Sequence, residues 1–365
     1  MKSIAEILGK ESLEREDLIR VLEADEGECG PLFERAAAVK RSGVGGRVYL
    51  RGLIEYSNIC SKNCLYCGIR SGNAAAVRYE MTEEETIAAA RHAFERRFGS
   101  IVIQAGERDD APFVARMERI LRGIRALGGG ALHVTLSLGE QTPDTYRRWF
   151  EAGAHRYLLR IEASSPDLYR KLHPDDARHR HASRLEALGA LRDAGYQVGT
   201  GVMIGAPMQT AADLADDLLF FRDLDVDMIG MGPYIEHPDT PLYAHARRLP
   251  PAQKRLELSL RMVALLRVMM PDINIAATTA MQAIDPGGRE RAILAGANVV
   301  MPNLTPARYR HDYLLYENKP GLDQAPEESV ELLEARIRES GGSIAYGEWG
   351  DSGRFLARKS GGPPA

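Results

Sequence analysis

The feature that most restricts how this chain can fold is an alternation, repeated eight times between residues 47 and 302, of a short apolar run with a longer segment of helical spacing. The strand-like runs are RVYLRGLIEY (47–56), SIVIQ (100–104), LHVTLSL (132–138), RYLLRI (156–161), QVGTGVMI (197–204), DMIGMGP (227–233), NIAATT (274–279) and NVVMP (298–302). Between them, Thr82 with Glu85 three residues on opens a helix over 82–98. Thr142 followed by Pro143, with Gly153 at the far end, marks another over 142–153, and Thr210 and Pro251 look like further starts. Parallel strands need such crossovers. Eight units over about 255 residues have the size and count of a complete (β/α)8 TIM-type barrel, which is favoured over a doubly wound open sheet. Residues 1–45 read as an N-terminal helical cap, with helices over 3–8 and 14–40, and 46–305 as the barrel. Residues 306–365 read as a C-terminal extension with a helix over 326–339 and a polar end, KSGGPPA, expected to fray.

In either fold, function collects at the C-terminal ends of the strands. The stretch IEYSNICSKNCLYCGIR (54–70) lies at the end of the first strand and places Cys60, Cys64 and Cys67 in a C-x3-C-x2-C spacing; Cys29 is the one other cysteine and reads as a plain packing residue. The N-terminus lacks the pattern of a signal or transit peptide, and no apolar run approaches the roughly 18 residues of a membrane span. A cytoplasmic location is therefore expected, where thiols stay reduced and clustered cysteines are ligands more often than bridges. A structural zinc site closes its tetrahedron with four protein ligands, and no fourth stands nearby. Three cysteines leave a metal centre with an open position. The net charge of −4, from 47 basic and 51 acidic residues without long runs, favours small partners and gives no footprint for nucleic acid or a membrane.

Elsewhere, Arg160 and Glu162 are two residues apart and share a face if the fourth strand continues to them. Taken alone they read equally as an ion pair at a barrel rim. Thr135, Thr278, Thr279 and Asn303 stand near strand ends, where they can line a polar cavity. The glycine-bearing turns IQAGE and GTGVMIGAP match no dinucleotide fingerprint, and RHRH (178–181) reads as solvated surface.

The three-cysteine spacing after the first strand resembles the signature of the radical S-adenosylmethionine (SAM) superfamily. The phrases EYSNICSKNCLYCGIR, QAGE, HVTLSLGE, GAHRYLLRIEASSPDLYRKLHP, LGALRDAGYQVGTGVMIGAP, DMIGMGPYIEHPDTPL, ATTAMQAIDPGGRE and GANVVMPNLTPARYR together resemble the [FeFe]-hydrogenase maturase HydE family, related to biotin synthase and methylornithine synthase. The resemblance implies one [4Fe-4S] cluster on Cys60, Cys64 and Cys67, whose open iron is chelated by the amine and carboxylate of SAM. One electron then cleaves SAM to a 5′-deoxyadenosyl radical. It implies a cofactor pocket of Tyr66, Gln104, Arg160, Glu162, Arg184 and Met203, with Glu162 toward ammonium or ribose hydroxyls and Arg184 toward the carboxylate. Thr135, Thr278, Thr279 and Tyr309 would face a cysteine-bound iron carbonyl cyanide synthon. Its implied partners are an electron donor such as flavodoxin or ferredoxin and other hydrogenase maturases. A methylornithine-type mutase, a biotin-synthase-like enzyme and an iron-sulfur carrier are the alternatives. The sequence departs from the family pattern at Ala105 (Ser expected), His173 (Arg) and Met208 (Gly), and no cysteine follows Cys67 to hold a second cluster.

Overall fold

The computed structural model describes residues 2–323, 326–339 and 341–361. The chain opens with helices α1 (Ile4–Leu8), α2 (Arg15–Leu22) and α3 (Gly30–Gly43). The single helix expected over 14–40 is broken, because DEGECGP carries its own stop and start. The backbone N–H of Asp25 donates to the Glu28 carboxylate at 3.0 Å across a one-turn 3-10 segment, and the Gly30–Pro31 pair then starts afresh, since proline cannot donate inside a running helix. Cys29 is buried here, its thiol on the Asp25 carbonyl, as a packing cysteine.

Ten short strands follow: β1 (Arg47–Ser57), β2 (Ser100–Ala105), β3 (His133–Ser137), β4 (Ala154–Leu158), β5 (Gln197–Thr200), β6 (Met203–Ile204), β7 (Met228–Ile229), β8 (Gly232–Pro233), β9 (Asn274–Ile275) and β10 (Val299–Val300). All pair in parallel, in the order β10-β1-β2-β3-β4-β5-β7-β9 with β6 against β8. The path closes on itself where Asn298 N–H donates to the Ile275 carbonyl and Ala277 N–H to that of Val299, both at 2.9 Å. The result is the expected eight-staved barrel, with the fifth and sixth staves each in two pieces. They break at Gly201 and Gly230, where the two staves run so close that a Cβ on Gly201 would overlap the Gly230 carbonyl.

The crossovers are α4 (Glu83–Glu95), α5 (Ala111–Ala126), α6 (Pro143–Ala152), α7 (Pro166–Leu172), α8 (His181–Asp193), α9 (Ala211–Asp223), α10 (Ala252–Met269), α11 (Thr279–Ile284) and α12 (Gly288–Ala295). The expected starts hold: Thr82 and Thr210 form reciprocal caps with Glu85 and Asp213, and Thr142 accepts from Thr145 N–H. The N-terminal helices lie along the outside of the barrel. Arg15 pairs with Asp216 of α9 at 2.6 Å, Arg261 of α10 donates to the Leu22 and Ala24 carbonyls, and Lys40 donates to the Ile293 carbonyl at 2.7 Å.

The C-terminal part contains α13 (Ala307–Arg310), α14 (Pro326–Glu339), β11 (Ser343–Ile344), which extends the sheet beside the start of β1, and α15 (Gly353–Lys359). Of the end KSGGPPA, Lys359 closes α15 and residues 362–365 lie outside the described residues. Between β11 and α15, residues 349–352 form the floor of the barrel. The Gly350 carbonyl accepts from Arg51 at 3.0 Å and Asn274 at 2.8 Å, and the Trp349 carbonyl from Arg156 at 2.7 Å. The Asp351 carboxylate pairs with Arg156 and accepts from Gln197 at 2.8 Å. Trp349 stacks on His133 with centroids 3.8 Å apart.

Candidate functional site

At the opposite, C-terminal end of the strands the barrel holds a cavity of about 350 Å3, into which Cys60, Cys64 and Cys67 all open. Their loop is shaped by short backbone links to three neighbours: Ser61 N–H to Glu107 O (2.8 Å), Leu65 N–H to Leu172 O (3.0 Å) and Gly68 N–H to Leu315 O (2.9 Å). Arg78 ties the loop from below, donating to the carbonyls of Asn58, Ile69, Arg70 and Asn73 at 2.7–3.1 Å. Among the described residues no three His, Cys, Asp or Glu side chains converge closely enough to hold a single ion. Burial pushes all three thiols up, Cys64 to about 12, and each thiolate would repel the others. Three soft donors that cannot ionise together unaided fit a polynuclear cationic centre such as an iron-sulfur cluster.

The cavity gathers all six cofactor residues expected from the sequence: Tyr66, Gln104, Arg160, Glu162, Arg184 and Met203 line it together with Thr278, Thr279 and Ala105. Arg160 and Glu162 do face each other, fork to fork, at 2.8 and 2.9 Å, and Arg160 also donates to the Gly230 carbonyl at 2.7 Å. Glu162 holds a left-handed backbone, φ 65°, the kind of strain that collects at functional sites. Arg184 is more committed than its expected carboxylate-binding role implies. Its Nε pairs with Glu140, its Nη1 donates to the Arg160 carbonyl at 2.7 Å, and its Nη2 lies 3.8 Å from Glu107. Lys62, inside the cysteine loop, completes this buried network at 3.0 Å from Glu140 and 3.2 Å from Glu107. Burial raises the Glu107 carboxyl; it opposes ionisation of Glu140 too, but Arg184 and Lys62 outweigh it there and hold that carboxyl below its usual range. Sequence reasoning did not single out Lys62, Glu107 or Glu140, although the recurring Gly-Glu after strands two and three was a usable signal.

Three sequence expectations are corrected. RHRH is not plain solvated surface: Arg178 and Arg180 are exposed, but His179 is buried and accepts from Asn63 N–H at 2.9 Å, fastening the cysteine loop. Thr135 does not line the cavity. Its buried hydroxyl, without a partner, lies one inward-facing position below Ser137, which does. Tyr309 is also outside, because α13 turns its ring onto Tyr79 (centroids 4.6 Å apart) and its hydroxyl onto Glu85 (3.0 Å). The strap that follows α13, residues 312–319, crosses the mouth instead and supplies Tyr313, Leu315, Tyr316 and Lys319 to the cavity. The period-three spacing Y-x-x-Y-x-x-K was the signal available for it.

His173, where Arg was expected, is buried beside Tyr66. Its Nδ1 meets the Tyr169 carbonyl at 2.8 Å, and its Nε2 meets the Tyr66 hydroxyl at 3.3 Å.

The radical SAM superfamily model matches residues 54–221. The chain is 46% identical over 319 residues to the [FeFe] hydrogenase maturase subunit HydE of Thermotoga maritima, covering 87% of this chain and 88% of that one. It is 28% identical over 292 residues to the biotin synthase of Geobacillus kaustophilus, covering 78% and 80%. The solved structure of methylornithine synthase (PylB) superimposes with a TM-score of 0.77 at 21% identity, covering 94% of this chain and 98% of that one, which shows the shared fold. No helix among the described residues is long and apolar enough to cross a membrane. With the cysteine loop set at the mouth of a closed barrel and the match to a HydE maturase running nearly the full length of both chains, the chain belongs to the HydE family of radical SAM enzymes.

Proposed function

We propose that this protein binds one [4Fe-4S] cluster on Cys60, Cys64 and Cys67, reductively cleaves SAM, and acts as a HydE-type maturase on a cysteine-bound iron carbonyl cyanide synthon during [FeFe]-hydrogenase assembly. The observation that carries the reading is that three thiols of one loop and a wall of charged side chains, the Arg160–Glu162 pair with Arg184 and Glu107, open onto one cavity. When bound, the cluster supplies the electron that breaks the sulfonium S–C5′ bond, giving methionine and a 5′-deoxyadenosyl radical.

The chain's own residues bind and orient. Tyr66, Gln104 and Met203 form the wall for the adenosyl portion, and the Arg160–Glu162 pair offers both signs of charge to a zwitterionic methionine moiety. Thr278 and Thr279, with Tyr313 and Tyr316 in place of Tyr309, face the substrate and keep water out. Residues 46–305 form the barrel of the catalytic unit, the strap 312–319 completes its mouth, and a flavodoxin or ferredoxin supplies the electron. The charged wall argues against a simple cluster carrier, which has no need of it.

Anaerobic reconstitution tests the reading. The wild type should take up about four iron and four sulfide and form 5′-deoxyadenosine under dithionite. Cys64→Ala should lose both, and omitting the wild-type protein from cell-free maturation should leave the hydrogenase inactive. Cluster uptake without SAM cleavage would leave a carrier. Cleavage without hydrogenase activation would move the protein to a mutase or synthase.

A further inference from the structure

Two charged side chains in the cavity take no part in the machinery described above. Glu55 lies two residues before the end of β1, and Lys319 arrives on the strap; both are buried, 2% and 8% exposed, yet both face the cavity. The Lys319 ammonium pairs with one Glu55 oxygen, donates to the Tyr313 carbonyl at 2.9 Å, and lies 5.0 Å from the centre of the Tyr313 ring. The other Glu55 oxygen accepts from Asn303 Nδ2 at 3.1 Å. Because β1 stands three staves from β4, this pair lies across the mouth from Arg160 and Glu162.

The four cations lining the cavity differ in their remaining donors. Lys62 is shared among Glu107, Glu140 and the Arg178 carbonyl. Arg160 engages three of its five N–H donors with Glu162 and Gly230, and Arg184 is held by Glu140, Glu107 and the Arg160 carbonyl; what these two still offer lies on the wall assigned to SAM. Lys319 uses two of its three N–H donors, and the Glu55 carboxylate has lone pairs beyond those taken by Lys319 and Asn303. The cavity thus contains a fixed pair of opposite charges with open valences at both ends. A ligand carrying only one sign would leave the other member opposed by an unbalanced buried charge, whereas a zwitterion keeps every charge matched.

We infer that Glu55 and Lys319 form the subsite for the α-ammonium and α-carboxylate of an amino-acid portion of the substrate, an inference that rests on the radical SAM reading above. Binding needs no net charge transfer: the substrate ammonium adds to the Glu55 carboxylate and the substrate carboxylate to the free N–H of Lys319.

The test uses the anaerobically reconstituted, SAM-loaded protein and three thiols: L-cysteine, cysteamine, which lacks the carboxylate, and 3-mercaptopropionate, which lacks the ammonium. Equilibrium dialysis should show the wild type binding L-cysteine on the order of tenfold more tightly than either analogue. Lys319→Met should bind L-cysteine no better than cysteamine, and Glu55→Gln no better than 3-mercaptopropionate, each with SAM affinity unchanged. The double variant removes the pair without orphaning a buried charge and should fold and bind all three thiols equally weakly. A wild type that does not discriminate, or single variants that weaken SAM and cysteine together, overturns the assignment. Dithionite-driven SAM cleavage, measured in parallel, separates that result from failure of the radical SAM reading itself.

Discussion

Met208 sits in a backbone conformation suited to glycine. Its φ is 67°, and its side chain is exposed, so no packing compensates the left-handed geometry. The sequence marked this position as a departure, but the cost becomes visible only in the dihedral. Relief of about 1–2 kcal/mol of left-handed strain, less about 0.5–1 kcal/mol of added chain entropy, should make Met208→Gly more stable. The denaturant midpoint is expected to rise at unchanged slope. His173, another departure, reads differently once its neighbours are known. Burial pulls its pKa down to about 3, so the ring is neutral near pH 7, and its Nδ1–H on the Tyr169 carbonyl leaves Nε2 to accept from the Tyr66 hydroxyl. The residue therefore positions Tyr66 and offers no charge to an anion. Replacing it with Phe keeps a ring against Tyr169 but removes the acceptor, and should raise KM for SAM by about three- to tenfold with kcat and iron content unchanged. Because the folded ring titrates near 3, it should impose no inflection on KM between pH 6 and 8.5; a break at 6.5 that vanishes in His173→Phe would contradict the assignment.

At the scale of elements, the cysteine loop and the strap depend on each other. Gly68 follows the last ligand, and a Cβ there would overlap the Leu314 carbonyl and the His237 ring, so glycine is required by the strap and not by the loop's own turn. Gly68→Ala should cost about 1–3 kcal/mol as overpacking. It should also speed chymotryptic cleavage at Tyr313–Tyr316; unchanged cleavage would show that the strap is held independently. The loop was readable because its three cysteines are local. The strap was not, since Lys319 meets a glutamate 264 residues away, and Tyr309 was the wrong tyrosine because nothing local says that α13 faces outward. The breaks in the fifth and sixth staves were hidden for the same reason: Gly201 and Gly230 look like ordinary strand glycines until the staves are side by side.

For the whole molecule, the eight-fold alternation was enough to read the barrel, since crossover spacing and helix caps are encoded locally. Its floor was not legible. Arg51 and Arg156 sit in strand-like runs where an arginine normally faces water, and their common partner arrives from residues 349–352. Asp351 is the carboxylate paired with Arg156, and His133, that guanidinium and the Gln197 hydrogen bond hold it well below the usual carboxylate range against the pull of burial. A depressed folded pKa means stability that is present above the unfolded value near 3.8 and lost as pH falls through and below it. Asp351→Ala should therefore cost about 3–5 kcal/mol at pH 7, the penalty of orphaned buried charge, and show a flatter loss of stability below pH 4 than the wild type. Equal acid sensitivity in thermal melts would place the acid-labile group elsewhere.

The same floor also sets an order of events in synthesis. Residues 349–352 leave the ribosome after every barrel strand, so a nascent chain can close its ring while the tube is still open at the bottom, with Arg51 and Arg156 wet. Docking of the final segment dries them and closes the lower end of the barrel, opposite the mouth where the cysteines lie.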